Sequence, residues 1–502
     1  MNKEKKALKV VSIMIIVLIC IAFTHRALQN DTFYTVKIGK LILKNGIDMK
    51  DHFSWHKLDY TYPHWLYDVI IYKIYSWFKF GGLYIFNIMC FILIAITFYN
   101  INLKLNKSYF LSLLFSIFGV IMLANYVAAR AQLFTYFLFV LEILFIERLL
   151  TSSKKKYAIG LFIINILIAN LHAAVWPFYF ILMLPFLFEW LVYEIKNKFN
   201  IEVSKKIFID RLIIEKKDGI KILGIVFIIS LFLGLLTPIG FTPYLYFIKI
   251  LQGDTMKYID EHKALVLIED AFVWGYLLIL LVPLIFTKVK VRLSDLVMIF
   301  GIILMTFMSV RHIAFLAIVG TFYLCKIYSN IGRNNSKDKV LDFDLPIYGS
   351  VIVLITVIIT SGIVFNINSK ESYINEEVYP VEMVEYIYDN MEPKKMKLYN
   401  EYDFGSYLLF KNLKVYIDSR SDLYTKPFNK KNDIFDECMN ITVNYGRVFS
   451  KYDITHILIY KDTDLNQILT ASPNYKLVHK EGKFALFEYL DDDKKEDNKK
   501  ET

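Results

Sequence analysis

Apolar runs long enough to cross a lipid bilayer recur along most of this 502-residue chain. They begin at Leu8 and end at Phe365, and residues 366–502 contain none. A helix needs roughly 17–25 apolar residues to cross about 30 Å of hydrocarbon. Because 56% of the residues are hydrophobic and only 21% are charged, one soluble core cannot hide this apolar surface. We therefore predict a polytopic α-helical protein embedded in the lipid bilayer, followed by a polar C-terminal region.

Charge and cysteine usage exclude several other classes. The formal net charge is +10, but the basic residues cluster in short loops between apolar runs, which is typical of topology signals and not of nucleic-acid binding. Three of the four cysteines lie inside apolar runs and none forms a CxxC pair, so we expect no disulfide framework and no zinc site. At the N-terminus, four lysines precede the apolar run Val10–Phe23. No small-residue cleavage site follows this run, which indicates an uncleaved signal anchor.

The topology depends on the stretch from Trp65 to Phe80, which is apolar but carries Asp68, Lys73 and Lys79. If this stretch crossed the membrane, the basic residues 154–156 would lie outside. If it is an amphipathic helix along the outer interface, every short basic loop lies inside. We adopt the interfacial interpretation.

This choice predicts about eleven transmembrane helices, with the N-terminus inside and the C-terminus outside a plasma membrane. The predicted spans are residues 8–24, 83–100, 109–124, 132–149, 157–171, 175–193, 221–237, 271–286, 293–309, 312–328 and 346–365. The outer face then holds a large first external loop at residues 25–82, a loop at residues 238–270, and the C-terminal region. Function is expected on that face.

The chain is predicted to contain a membrane domain at residues 1–368, a small extracytoplasmic α/β domain at 369–490, and a disordered charged tail at 491–502. The sequence of the α/β domain consists of short helix-like and strand-like segments. Its helix-like segments are Val381–Asn390 and Leu465–Ala471. Its strand-like segments are Lys397–Tyr402, Val415–Asp418, Ile454–Tyr460, Tyr475–Lys480 and Phe484–Tyr489.

Asp31 follows the first span directly, at the start of a predicted interfacial helix that closes at Asn45-Gly46. A carboxylate at this position can accept backbone N–H bonds and interact favourably with the helix dipole. An acid at the membrane surface can also act as a general base on an incoming hydroxyl. The two roles are compatible, and both stay open.

Asp31, Gly46, Asp51 and the segment Tyr62-Pro63-His64-Trp65-Leu66-Tyr67-Asp68 resemble the first external loop of GT-C superfamily glycosyltransferases. These membrane enzymes, such as protein O-mannosyltransferases and aminoarabinose transferases, move a sugar from a polyprenyl-phosphate carrier. The resemblance covers the topology of residues 1–370, and the residue motif covers residues 1–70. It implies that Asp31 deprotonates an acceptor hydroxyl, which displaces the lipid phosphate from the anomeric carbon in one inverting step. The acceptor would be a cell-envelope glycan, a glycolipid or a protein.

Such an enzyme needs positive charge for the leaving phosphate. Arg130, with Gln132 in the same outer turn, and Arg311 beside His312 are candidates, because an arginine fork matches phosphate geometry. The alternative is that each arginine reaches from a helix end to the membrane surface. His172, at another outward helix end, is either a substrate contact or a structural histidine.

The first loop contains further acidic residues. Asp51 together with Asp31 is a candidate site for Mg²⁺ or Mn²⁺, because hard carboxylate oxygens suit these ions; the alternative for Asp51 is a polar turn. His64 and Asp68 lie four residues apart and would share one helix face, either as substrate contacts or to order the helix.

In the C-terminal domain, segments 400–408 and 416–424 resemble paired motifs of large bacterial GT-C-like membrane proteins. The second segment contains Asp418 and Arg420 at a predicted strand end. They are candidates for binding the acceptor glycan, and the alternative is a structural ion pair.

Two other functions compete with glycosyl transfer. A lipid-linked glycan flippase or exporter would also have many helices, and a non-catalytic scaffold of envelope biogenesis could use the C-terminal domain for binding. We find no internal repeat and no paired Gly/Pro-broken helices, and the charged residues that we single out lie near the outer face instead of the bilayer midplane. These observations favour the transferase.

Overall fold

A computed structural model describes residues 3–199, 211–331 and 347–490. The predicted charged tail at 491–502 lies outside the described residues. The chain separates into two compact units. The helical unit comprises residues 1–26, 84–244 and 259–370, and the mixed unit comprises residues 27–83, 245–258 and 371–502.

Most of the described residues are helical. In chain order the helices are α1 (Lys3–Phe23), α2 (Asn30–Asn45), α3 (Trp65–Asn106), α4 (Tyr109–Ala124), α5 (Gln132–Ser152), α6 (Lys155–Leu171), α7 (Trp176–Ile181), α8 (Leu184–Lys198), α9 (Ile220–Leu233), α10 (Thr242–Leu251), α11 (Thr255–Tyr258), α12 (Ala271–Phe286), α13 (Leu293–Met308), α14 (Ile313–Phe315), α15 (Thr321–Asn330), α16 (Ile347–Asn368), α17 (Val381–Asn390), α18 (Tyr402–Phe410), α19 (Lys426–Asn429), α20 (Ile434–Met439), α21 (Ile441–Tyr452) and α22 (Asp464–Ala471). The strands are β1 (Leu212–Ile213), β2 (Val291–Arg292), β3 (Leu398–Asn400), β4 (His456–Tyr460), β5 (Tyr475–Glu481) and β6 (Phe484–Tyr489).

Helices occupy the positions that the sequence predicted to span the membrane. Among the described residues, five are long and apolar enough to cross a bilayer: Lys5–Phe23, Trp65–Asn106, Ala173–Lys198, Val310–Asn330 and Val351–Asn368. Four shorter apolar helices are Tyr109–Ala124, Ile220–Leu233, Ala271–Phe286 and Leu293–Met308. The prediction of a mostly helical chain with several helices long and apolar enough to cross a membrane is confirmed. The count of eleven crossings and the orientation remain predictions.

In the helical unit, α1 packs along α16, and the Asn368 side chain donates to the Ala22 carbonyl oxygen at 2.8 Å. A short parallel pairing of β1 with β2 joins Leu212 to Val291. The contact between α1 and α16 holds the N-terminal and C-terminal helices of this unit together.

Helix α3 is bent at Lys79, whose backbone angles are not helical (φ 53°, ψ −151°). The segment before this residue is thus a separate helix from the longer apolar one after it. This agrees with the prediction that the stretch from Trp65 to Phe80 is separate from a span beginning at residue 83. That the first segment lies in the membrane interface remains a prediction.

Helix α2 ends as its sequence predicts. Gly46 adopts a positive φ of 78°, and its N–H donates to the Ile42 carbonyl oxygen at 2.8 Å. The start differs from the expectation of a capping Asp31, because Gln29 occupies the N-cap position and makes no side-chain capping bond. Asp31 lies in the first turn instead, where its charge still interacts favourably with the helix dipole.

The C-terminal residues of the mixed unit contain a four-stranded sheet in the order β3-β4-β6-β5. Strand β3 is parallel to β4, and the other two pairings are antiparallel. The predicted strand Val415–Asp418 is wrong: this segment makes only an isolated bridge between Val415 and Ser54. Its backbone is engaged by the first loop, since the Val415 N–H donates to the Phe53 carbonyl oxygen at 3.3 Å.

Within the mixed unit, α2 packs against α18 and against the N-terminal part of α3. The Asn30 side chain donates to the Tyr402 carbonyl oxygen at 3.1 Å, and the Phe33 ring meets the Tyr407 ring edge-on at 5.4 Å. On the α3 side, a Cβ built on Gly39 would lie 2.0 Å from the Asp68 carbonyl oxygen. Only glycine allows this close crossing, which brings the middle of α2 next to the start of α3.

Replacing Gly39 with Ala should therefore destabilise the protein by about 1–3 kcal/mol, the usual cost of overpacking a close contact, measured by unfolding in detergent. The matched control is Gly446→Ala in α21, where nothing lies within 4 Å of the added Cβ. That change should be neutral or stabilising by up to about 1 kcal/mol. Equal effects of the two substitutions would contradict the close crossing.

Candidate functional site

Three polar side chains of the mixed unit form a continuous hydrogen-bonded chain beside Asp31. Tyr34 lies one helical turn after Asp31 in α2, so both residues share one helix face. The Tyr34 hydroxyl is 3.2 Å from Nε2 of His64, and Nδ1 of His64 is 2.7 Å from Oδ1 of Asp68. The Asp68 side chain is fully buried and that of His64 is 13% exposed. We call this arrangement the Tyr34–His64–Asp68 chain.

The negative charge of Asp31 acts on two members of the Tyr34–His64–Asp68 chain, Tyr34 and His64. Burial by itself would lower the pKa of His64, but the Asp68 carboxylate and its hydrogen bond outweigh burial, and with the charge of Asp31 they raise this pKa above its usual value. Burial, followed by the charge of Asp31, raises the pKa of Tyr34 well above its usual value. The environment thus favours an imidazolium at His64 and a protonated phenol at Tyr34.

A second buried cluster joins the first loop to the C-terminal segment of the same unit. Nη1 of Arg420 is 2.8 Å from Oδ1 of Asp51. On its other side, Nε and Nη2 of Arg420 donate to the two carboxylate oxygens of Asp418, at 2.8 Å and 2.6 Å. The guanidinium also lies 4.9 Å from the centre of the Tyr60 ring. This is the structural ion pair of Asp418 and Arg420 considered above, extended by Asp51.

These contacts bear on two expectations from the sequence: a metal site at Asp51 and glycan binding by Asp418 and Arg420. Burial would raise the pKa of Asp51, but Arg420 and the hydrogen bonds from Ser54 hold it below its usual value. The carboxylate oxygens of Asp51 are engaged by Arg420 and Ser54, so Asp51 does not fit the Mg²⁺ or Mn²⁺ site expected with Asp31. Across residues 3–199, 211–331 and 347–490, no group of three or more His, Cys, Asp or Glu side chains could hold a metal ion. Asp418 and Arg420 are buried, which disfavours a direct contact with a glycan.

The predicted phosphate ligands lie in the helical unit. Nη1 of Arg130 contacts both carboxylate oxygens of Glu261, at 2.9 Å and 3.0 Å. Nη1 of Arg311 is 2.9 Å from Nε2 of His262. Burial, together with the charge of Arg311, lowers the pKa of His262 to about 3, so the neutral ring accepts this hydrogen bond. Each arginine is therefore oriented by a neighbour on the short 3₁₀ turn Asp260–His262.

His312 and His172, two further predicted site residues, have partners in the same unit. Nδ1 of His312 lies 2.8 Å from the Met305 carbonyl oxygen, and Nδ1 of His172 lies 3.0 Å from the Thr135 hydroxyl. Gln132 is the first residue of α5 and is half-buried. Tyr34, Glu261 and His262 were not among the site residues predicted from the sequence. The spacing of Tyr34 from Asp31 was a usable signal, whereas the pairing of Arg130 with Glu261 has no local signal.

No protein-family model matches the chain, and no curated protein sequence matches it significantly. Solved structures do. ArnT from Cupriavidus metallidurans bound to undecaprenyl phosphate aligns with a TM-score of 0.52 and 10% identity, over 98% of this chain and 99% of that one. The oligosaccharyltransferase AglB from Archaeoglobus fulgidus, with an inhibitory peptide and a dolichol-phosphate, aligns with a TM-score of 0.56 and 11% identity, over 97% and 75%. A second structure of the Archaeoglobus oligosaccharyltransferase, tethered to an acceptor peptide, aligns with a TM-score of 0.53 and 11% identity, over 91% and 69%.

The chain therefore has the fold of ArnT and of the Archaeoglobus oligosaccharyltransferase, and the GT-C resemblance inferred from the first loop is confirmed at the level of the fold. Identities of 10–11% show the fold alone.

The raised pKa of His64 predicts a pH-dependent contribution to stability. Because the folded pKa exceeds the unfolded value of about 6.5, the contribution is fully present below the unfolded pKa and is lost as pH rises through the folded pKa. His64→Gln should therefore lower the melting temperature most near pH 6 and least at alkaline pH. The control is His52→Gln, whose pair with Asp48 is 37% exposed on both sides and should matter little.

Removing the guanidinium from the buried cluster should be far more harmful than removing an exposed cation. Arg420→Met leaves two buried carboxylates without their partner, at an expected cost of about 3–5 kcal/mol. Lys397→Met breaks an ion pair whose side chains are 46% and 82% exposed, at an expected cost below about 1 kcal/mol. Chemical unfolding in detergent measures both, and similar losses would contradict a structural role for Arg420.

Proposed function

We propose that the protein is a membrane glycosyltransferase that moves a sugar from a polyprenyl-phosphate donor to an acceptor outside the cytoplasm. The observation that carries this proposal is the GT-C fold over nearly the whole chain, in a sequence that supplies an acid, Asp31, directly after its first apolar helix. The proposed setting is the plasma membrane, with the C-terminal segment on the outer side, as the basic loops predict.

The donor class is supported by the solved structures, one bound to undecaprenyl phosphate and another to a dolichol-phosphate. Arg130 and Arg311 are the proposed ligands of the donor phosphate, because a planar guanidinium binds phosphate oxygens in pairs. Glu261 and His262 orient these two side chains in the helical unit. The acceptor is proposed to be a cell-envelope glycan, a glycolipid or a protein.

In the proposed reaction, Asp31 takes the proton of the acceptor hydroxyl as the oxygen attacks the anomeric carbon. The new glycosidic bond forms as the bond from that carbon to the phosphate oxygen breaks, and polyprenyl phosphate leaves with the electron pair. The attack comes from the side opposite the phosphate, so the anomeric configuration inverts. Cationic side chains stabilise the charge that develops on the leaving phosphate.

Asp31→Asn should reduce sugar transfer by at least about 100-fold, because the amide cannot accept the proton. Transfer from a polyprenyl-phosphate sugar is measured in purified protein reconstituted with an envelope extract as acceptor. The matched control is Asp59→Asn, an exposed acid of the same loop, which should keep full activity. Full transfer by Asp31→Asn, in a protein with an unchanged melting temperature, would reject the assignment.

A second function, export of lipid-linked glycans, is favoured by one observation in the helical unit. Glu142 lies in the middle of α5, is fully buried, and its carboxylate oxygens have no hydrogen-bond partner among the residues that the structure describes. A buried acid within a membrane helix is typical of transport pathways. Flux in liposomes that contain no acceptor separates the functions: an exporter moves the lipid there and loses this flux with Glu142→Gln, whereas a transferase moves none.

A further inference from the structure

We propose that a groove along α13 binds one acyl chain of an anionic membrane phospholipid, with the head group beside Arg211. The groove lies wholly in the helical unit, and its cationic end is the end predicted to face the cytoplasm. Arg311, a proposed ligand of the donor phosphate, follows the opposite end of α13. The inference therefore concerns a second lipid site and does not depend on the proposed glycosyl transfer.

The groove follows one face of α13 from Leu293 to Leu304, and Leu212 of β1 completes its lining. Its volume is about 500 Å³, and all its lining residues are apolar. A rise of about 1.5 Å per residue makes this stretch of helix about 16 Å long. One leaflet provides about half of the roughly 30 Å hydrocarbon thickness. The groove therefore matches the length of one acyl chain in one leaflet.

Gly301 lies within the groove and adds no side chain to it. No described protein atom lies within 4 Å of a Cβ built on this residue. Val297 and Leu304, four residues before and three residues after it, lie on the same helix face. Glycine inside a helix is less favourable than alanine, and no described neighbour requires it here. The missing side chain leaves room for hydrocarbon from outside the chain.

A cationic side chain lies at the Leu212 end of the groove. Arg211 lines a smaller cavity that shares Leu212 and Leu296 with the groove. Its Nη1 donates to the carbonyl oxygens of Leu284 and Thr287, at 3.1 Å and 2.7 Å. Both partners are neutral, so they orient the guanidinium without neutralising its charge. The guanidinium has further N–H donors, which suit the oxygens of a phosphate.

The pairing of β1 with β2 sets this cation beside the start of α13. Leu212 pairs with Val291, and the residue before Val291 is the exposed Lys290. Arg292 is not counted, because it is buried and contacts Glu189 at 3.2 Å. This end of α13 is predicted to lie inside, where anionic lipids attract Lys and Arg residues. An anionic phospholipid therefore fits both the apolar groove and its cationic end.

The test is native mass spectrometry of the protein after reconstitution in vesicles of equal parts phosphatidylcholine and phosphatidylglycerol and extraction in mild detergent. We expect the wild type to retain one phosphatidylglycerol. Gly301→Leu places a side chain in the groove and should lower the retained phosphatidylglycerol by at least about tenfold. Excluding only two methylene groups from an apolar site already weakens binding by about that factor.

Arg211→Gln removes the charge and keeps the apolar groove. The preference for phosphatidylglycerol over phosphatidylcholine should fall by about fivefold, the usual effect of one basic residue near an anionic membrane surface. Arg211→Lys keeps the positive charge and should keep the preference.

Two matched controls come from the same unit. Gly275→Leu in α12 also adds a side chain where no described atom lies within 4 Å of the Cβ, but Gly275 is not among the residues that line the groove. Arg148→Gln removes a half-buried arginine near the predicted inner end of α5. Both controls should retain phosphatidylglycerol with the wild-type amount and preference.

Equal retention by the wild type and Gly301→Leu, or wild-type retention without a preference for phosphatidylglycerol, would overturn the inference. Displacement of phosphatidylglycerol by polyprenyl phosphate added to the same vesicles would also overturn it, because the groove would then hold the donor lipid. Phosphatidylglycerol should raise the melting temperature of the wild type but not of Gly301→Leu. If Gly301→Leu is unstable, Val297→Phe fills the groove one turn earlier and gives the second measurement.

Discussion

The mixed unit depends on one buried cation, the guanidinium of Arg420, held between the carboxylates of Asp51 and Asp418. Taking these charges out of water costs several kcal/mol for each ion. This cost is offset only when all three charged groups are in place. Hydrogen bonds from Ser54 to Asp51 and from Tyr424 to Asp418 add to the ion pairs. Asp51 belongs to the first loop and the other two to the C-terminal segment. The first loop alone would bury Asp51 without a cation, so its buried conformation depends on the C-terminal segment that supplies Arg420.

Packing within the mixed unit also fixes the position of the proposed base, Asp31. Helix α2 carries Asp31 and lies against α18 through Phe33 and Tyr407, and against α3 through the close crossing at Gly39. Three segments that are distant in sequence therefore determine where one carboxylate lies. A free interfacial helix, anchored only by lipid, would rotate and tilt with the membrane. Packing on both sides gives Asp31 the fixed geometry that proton transfer to a carboxylate requires.

Local signals in the sequence predicted the parts of this structure that local physics decides. The apolar runs gave the positions of the membrane helices, Gly46 gave the end of α2, and a residue spacing of four gave the His64–Asp68 pair. Long-range pairings have no such signal. Val415 is apolar and β-branched, which favours a strand, but its N–H bonds to the first loop, and the contact of Arg420 with Asp51 cannot be read from either segment. The missed residues of the candidate sites, such as Glu261, are partners of this long-range kind.

The same limit applies to the topology argument, which counted basic residues as signals for the inner face. Arg292, which precedes the predicted span 293–309, and Lys326, near the end of the predicted span 312–328, are engaged in a network inside the helical unit. Lys326 contacts Glu147 and Asp295 at 2.9 Å and 3.0 Å, and Arg292 contacts Glu189 at 3.2 Å. All three acids are buried, so these two cations neutralise acids of α5, α8 and α13 in addition to marking a side. The predicted orientation rests on the Lys and Arg residues in short loops, such as those at residues 154–156, because such residues are enriched on the inner side of a membrane.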